Sequence, residues 1–192
     1  WQTLLFSATI PNWVKKISRK YMSHDKIVVD MVEDQDEKAS IFVKHIAVPC
    51  SKDSLATTVA DLISVYAGPR GRTLIFCETK RDCNDFVGNS DFNIECSVLH
   101  GDVPQQQREI MLQAFRDGKT KVLVATDVAA RGLDMVVDLV IQTKPPSRKS
   151  GVPDIDTYVH RSGRTGRAGK NGTCVTLYNY FAKTTLRHIE KA

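Results

Sequence analysis

Paired cysteines, long apolar runs and internal repeats are all missing from this sequence of 192 residues. Its five cysteines (Cys50, Cys77, Cys83, Cys96, Cys174) are odd in number and include no CxxC pair, which argues against a disulfide framework. Cys77 sits in an apolar run that reads as a buried strand, so reduced, intracellular thiols are expected. No run of roughly 18 apolar residues could cross a bilayer. The amino terminus has neither a signal-peptide core nor an arginine-rich transit pattern, so a soluble protein with no membrane partner is expected. Large charge excess is missing too. Lys and Arg number 27 against 22 Asp and Glu, and a net +5 suits an anionic partner without demanding one. There is no initiator Met; Trp1 leads straight into apolar residues, as expected of a chain cut from something larger.

What is present is an ordinary globular composition, 42% hydrophobic, patterned as alternating strands and helices. Residues 3–6 and 26–29 read as short strands on either side of a helix opened by Pro11, with Trp13, Ile17 and Tyr21 on one face and Val14 alongside. The acidic stretch 33–37 reads as a solvated connector. Beyond it, 41–48, 73–76, 94–99, 122–125, 139–142 and 173–178 read as strands. Between the first two, Leu55, Val59, Leu62 and Tyr66 recur at helical spacing until Gly68 and Pro69. A helix over 104–115 starts at proline and clusters Ile110, Met111, Ala114 and Phe115 beside Arg108. The alternation predicts a parallel α/β sheet with helices on both faces. Residues 144–156, with three prolines, read as an irregular loop.

The sharpest feature is the stretch 160–169, His160-Arg161-Ser162-Gly163-Arg164-Thr165-Gly166-Arg167-Ala168-Gly169. Its arginines recur every third residue with small residues between. On a helix or tight turn their guanidinium groups would share a face. Each offers a planar, permanently charged fork suited to phosphate oxygens. A solvated surface helix is the plain alternative. The stretch Arg131-Gly132-Leu133-Asp134 follows a strand, where open α/β sheets place ligands, although Asp127 and Asp134 also suit ordinary turns and caps. His100-Gly101-Asp102 sets a glycine before a helix amino terminus, favourable for a phosphate or simply a tight turn. Ser7-Ala8-Thr9 reads as a helix cap or as hydroxyls facing another domain. There is no GxxxxGK[ST], no Asp-Glu-Ala-Asp box and no metal-ligand cluster, so this segment alone is not expected to hydrolyse ATP.

Taken in order, Ser7-Ala8-Thr9, Leu74-Ile75-Phe76-Cys77-Glu78-Thr79, His100-Gly101-Asp102, Ala125-Thr126-Asp127, Arg131-Gly132-Leu133-Asp134 and the stretch 160–169 resemble the DEAD-box ATP-dependent RNA helicases. The wording of 72–80 and 3–9 is similar to the nucleolar Gu-type branch. The resemblance implies a RecA-like fold, with residues 1–32 ending a first domain, 33–40 linking, and 41–192 forming the C-terminal domain. It implies that Arg164 and Arg167 reach the γ-phosphate, Gly132 and Asp134 approach the ribose, and His160 communicates with Ser7 and Thr9 across the domains. Arg161 takes a structural or interdomain part. Thr79, Gly101, Arg108 and Thr126 would contact the RNA backbone, without sequence preference and without an apparent aromatic platform. ATP with Mg2+ would be held mainly by the N-terminal RecA-like domain, and the nucleus or nucleolus is the implied compartment. Two departures stand out: 134–138 lacks the usual proline and is one residue short, and 144–156, with Lys144, Arg148 and Lys149, is longer than the family pattern. A non-catalytic RNA-binding scaffold and a DNA helicase built from the same paired domains are the rival readings.

Overall fold

The computed structural model describes residues 2–6, 12–29, 39–130, 135–148, 150–167 and 169–191. The chain separates into two compact units, Trp1–Asp36 and Glu37–Ala192. In the first, α1 (Asn12–Tyr21) buries Val14 alone, while Trp13, Ile17 and Tyr21 stay exposed. The flanking segments 3–6 and 26–29, expected as strands, are not strands. A strand needs a neighbour for its N–H and C=O groups, and among the described residues none pairs with them.

Among its described residues the second unit carries six strands: β1 (Val43–Pro49), β2 (Thr73–Phe76), β3 (Cys96–Leu99), β4 (Val122–Ala125), β5 (Leu139–Gln142) and β6 (Gly172–Tyr178). They form one sheet of order β1-β6-β5-β2-β4-β3, parallel throughout. The inner strands are short apolar runs because both faces are covered; Ile75, Leu123, Leu139 and Ile141 are fully buried. Alternation sends Leu74, Phe76, Leu123, Ala125, Val140 and Cys174 to one face, against Leu112 and Phe115 of α4 (Gln105–Arg116) and Ala129 and Ala130 of α5 (Asp127–Ala130). Ile75, Cys77, Val124, Ile141 and Val175 face the other way, onto α2 (Leu55–Leu62), its π-helical continuation Ile63–Ala67, and α3 (Lys80–Val87). Burying each large apolar side chain contributes about 1.5–3 kcal/mol.

Two further helices, α6 (Ile155–Ser162) and α7 (Lys183–Glu190), flank β6 in the sequence. On α4, the buried residues are Leu112 and Phe115, while Ile110 of the expected cluster is exposed. The segment before α6 is more ordered than an irregular loop. Ser147 and Pro153 form an antiparallel bridge, and the Arg148 amide donates to Val152 at 2.8 Å. Gly151 turns this small hairpin at a φ of 79°.

Candidate functional site

In a parallel sheet, aligned strands deliver their following loops to one edge. The register pairs Phe76 with Ala125 and Gln142, and Leu99 with Ala125. Thr79, Thr126 and Gly101 therefore emerge along the carboxyl ends of three neighbouring strands, β2, β4 and β3. Thr79 caps α3 in a closed box. Its hydroxyl accepts from the Asp82 amide at 3.1 Å, and its own amide donates to the Asp82 carboxylate at 3.0 Å. Gly101 is exposed, with nothing within 4 Å of where a Cβ would sit. Beside it, His100 is buried and its Nε2 meets Asn84 Oδ1 at 3.0 Å, so it is a satisfied turn residue. Lys80 binds Asp102 at 2.7 Å, joining the loops after β2 and β3. That ammonium lowers the Asp102 carboxyl below the usual carboxylate range. Thr126 immediately precedes α5, and its carbonyl accepts from the Ala130 amide at 3.0 Å. Arg108 of α4 donates from Nη2 to the Ala129 carbonyl, tying α4 to the end of α5.

The arginine stretch is divided by the end of α6. The helix stops at Ser162 with Gly163 as its C-cap, so the three arginines do not share a helix face. Arg161, still helical, is 3% exposed. Its Nε and Nη2 donate to the two Asp127 oxygens at 2.7 Å each, its Nη1 reaches Gln142 Oε1 at 3.3 Å, and its guanidinium lies 5.3 Å from the Phe76 ring centre. This is a bidentate pair with a stacking partner, buried on the arginine side and half-buried on the aspartate side, and it commits the Arg161 guanidinium to contacts within the domain. It also explains Asp127, whose carboxylate receives that fork.

Arg164 and Arg167 occupy the turns beyond the helix and are half-buried. The Arg164 carbonyl accepts from the Val137 amide at 3.0 Å, and Arg167 Nε donates to the Gly163 carbonyl at 2.5 Å. Thr165, 1% exposed, donates to the Val137 carbonyl at 2.6 Å. Gly166, with φ 64°, packs so closely on Phe42 and Val43 that a Cβ would collide with them. A Cβ on Gly172 would strike Thr165 and the Gly166 amide. The turn is thus pinned to the amino ends of β1, β5 and β6, presenting two guanidinium groups from a fixed backbone. His160, on the last turn of α6, is exposed.

Ser7, Thr9, Gly132 and Asp134 lie outside the described residues. The pairings Arg161–Asp127, Lys80–Asp102 and Lys144–Glu78, the last at 2.6 Å, are invisible to sequence reading because each joins residues from segments far apart in the chain. Among the described residues, no group of three or more His, Cys, Asp or Glu is placed to hold a metal ion. No described helix is long and apolar enough to cross a membrane.

Residues 54–169 match the family model described as the helicase conserved C-terminal domain. The chain is 47% identical over 191 residues to nucleolar RNA helicase 2 of Rattus norvegicus, covering 99% of this chain and 24% of the relative. It is equally 47% identical to the ATP-dependent RNA helicase DDX50 of Homo sapiens, covering 99% of this chain and 25% of the relative. It therefore spans about a quarter of the length of these relatives. Among solved structures, Saccharomyces cerevisiae Dbp5 bound to RNA and ADP BeF3 superposes with a TM-score of 0.81 at 28% identity, covering 97% of this chain and 47% of that one. The isolated C-terminal domain of the DEAD-box protein Dbp5 gives a TM-score of 0.68 at 32% identity, covering 78% and 84%.

Proposed function

Since the chain belongs to the helicase C-terminal domain family, as the RecA-like C-terminal domain of a DEAD-box RNA helicase, we propose that it serves an ATP-dependent enzyme that locally unwinds RNA or remodels RNA–protein complexes. In this proposal residues 41–192 form the C-terminal domain, 33–40 the linker, and 1–32 the end of the first domain. What carries the reading is the split of the site: phosphate-compatible loop residues line the carboxyl edge of β2, β4 and β3, while a rigid turn elsewhere holds Arg164 and Arg167.

Thr79, Gly101 and Thr126 offer hydroxyl and backbone groups to successive phosphates, and Arg108, held on the Ala129 carbonyl, adds a cation beside them. None of these groups reads a base edge, so binding is largely sequence-independent. Mg2+–ATP supplies the phosphoryl group to be transferred, and this chain's donors fit only the phosphate-facing part of that work. Arg164 and Arg167 oppose charge that develops on the γ-phosphate when the domains close, and Gly132 and Asp134 face the ribose. His160 meets Ser7 and Thr9 across the domains. Closure accommodates an RNA backbone that a regular duplex cannot adopt, and pairing is lost locally. The relatives named nucleolar support a nucleolar location for this chain.

The test is RNA-stimulated ATP turnover of the full-length protein. Arg164→Ala and Arg167→Ala each lower turnover by about 10³-fold or more, with RNA affinity in the absence of nucleotide retained. Undiminished turnover in both variants refutes the assignment of these arginines. Activation by single-stranded DNA as strong as by RNA would favour the DNA helicase reading.

A further inference from the structure

Resting on the reading of the carboxyl edge as an RNA track, we propose that Tyr180 and Phe181 form a stacking platform for unpaired bases, extending that track to the β6 side of the sheet. The two rings are 84% and 89% exposed. They sit in the 3-10 turn Tyr180–Ala182, directly after β6. The turn's inward residue is Ala182, and α7 buries Leu186 and Ile189, so neither aromatic contributes to the core. The turn is fixed by Asn179, whose side chain accepts from the Ala182 amide at 3.0 Å. The rings meet edge to face, with centres 5.9 Å apart at 84°, which steadies each while leaving most of its surface open. Two large rings held in water by a short, capped turn call for a ligand with a flat apolar surface.

Position and charge select that ligand. Only β5 separates β6 from β2 in the sheet, so the platform stands two strand spacings, roughly 10 Å, from the strand that leads to Thr79. The intervening edge is continuous with the track. Lys144, just after β5, binds Glu78 at 2.6 Å, immediately beside Thr79, and the hairpin that follows exposes Arg148, whose Nε lies 3.9 Å from an Asp154 oxygen. Lys52 and Lys183, both exposed, lie in the loop after β1 and at the start of α7. Aromatic faces among cations, in line with phosphate-binding loops, match a single strand whose bases stack while its backbone follows the basic groups. A pair of rings is small for a stable protein interface. Stacking accepts every base, which agrees with a track that reads backbone alone.

The experiment measures fluorescence anisotropy of labelled oligouridylates, about 6 and about 12 nucleotides long, with the full-length protein. Tyr180→Ala/Phe181→Ala is expected to weaken the longer RNA about tenfold, the size of one stacked base, and to leave the shorter one unchanged. Tyr180→Trp/Phe181→Trp keeps wild-type affinity for both. Thr126→Val, on the track itself, weakens both lengths. If the double alanine variant binds both RNAs like wild type while Thr126→Val weakens them, the platform is overturned and the track stands. If Thr126→Val is also without effect, the track reading fails with it. Unaltered RNA binding accompanied by loss of a co-purifying protein would give the surface to a protein partner and equally overturn the proposal.

Discussion

At the scale of single residues, the arginine stretch shows what spacing reveals and what it hides. Three arginines at intervals of three suggest one face, and the glycines between them signal tight turns; the turns exist, but the helix ends between Arg161 and Arg164. Arg161 turns inward because an acceptor pair waits there. Asp127 arrives from the loop after β4 and Gln142 from the end of β5, and neither is predictable from the neighbourhood of Arg161 in sequence. A buried ion pair contributes little against an apolar replacement, but losing one partner is costly. Arg161 is 4% exposed at its side chain and Asp127 is 35% exposed, so the stranded charge in an Asp127→Ala variant would be the arginine. The expected cost is about 3 kcal/mol, seen as a fall of roughly 10 °C in thermal midpoint. Adding Arg161→Met to Asp127→Ala should recover part of that loss. A double variant less stable than Asp127→Ala alone would mean that stacking on Phe76, rather than the ion pair, holds Arg161 in place.

Elements were legible where their burial is uniform. The runs at 73–76, 122–125 and 139–142 coincide with β2, β4 and β5 because strands covered on both faces are buried at every position and, Thr73 and Gln142 apart, apolar. The runs at 3–6 and 26–29 are also largely apolar but have no paired neighbour among the described residues, and apolar character alone does not make a strand. The hairpin at Ser147–Pro153 was hidden because its signals, proline and glycine, mark turns of any kind. Glycine placement was similarly opaque. Gly169 has φ 73° and open space around it, whereas Gly172 has ordinary backbone but no room, since a Cβ would strike Thr165 and the Gly166 amide. Gly169→Ala should therefore cost only the left-handed strain, about 1–2 kcal/mol. Gly172→Ala must displace backbone and should cost at least about 3 kcal/mol. Urea unfolding of the two variants checks the order. The reverse ranking would show that the arginine turn yields, and is not the rigid platform its packing implies.

At the scale of the whole molecule, the sheet holds both proposed surfaces in register, the edge that follows β2, β4 and β3 and the turn pinned beside β1, β5 and β6. That requires the layers on its two faces to open together, and the cysteines report on this. Cys174 lies in the core on one face; Cys77 and Cys83 lie in the core on the other. Burial pushes the Cys174 thiol up to about 11. The Cys77 thiol is raised as well, first by its hydrogen bond with Cys83 and then by burial. Thiolate is the reactive form, so Cys77 and Cys174 should resist alkylation at neutral pH until the fold opens; the Cys83 thiol is lowered by its hydrogen bond with Cys77 and is protected by its complete burial instead, while the half-buried Cys50 labels first. Labelling by iodoacetamide, followed residue by residue with mass spectrometry across a urea series, measures the opening free energy of each layer. If the sheet is one cooperative unit, Cys174 and the Cys77–Cys83 pair become reactive at the same urea concentration. Earlier reaction at Cys77 and Cys83 would show α3 lifting away on its own, and with it the Thr79 cap. The edge that carries Thr79 could then loosen without disturbing the arginine turn.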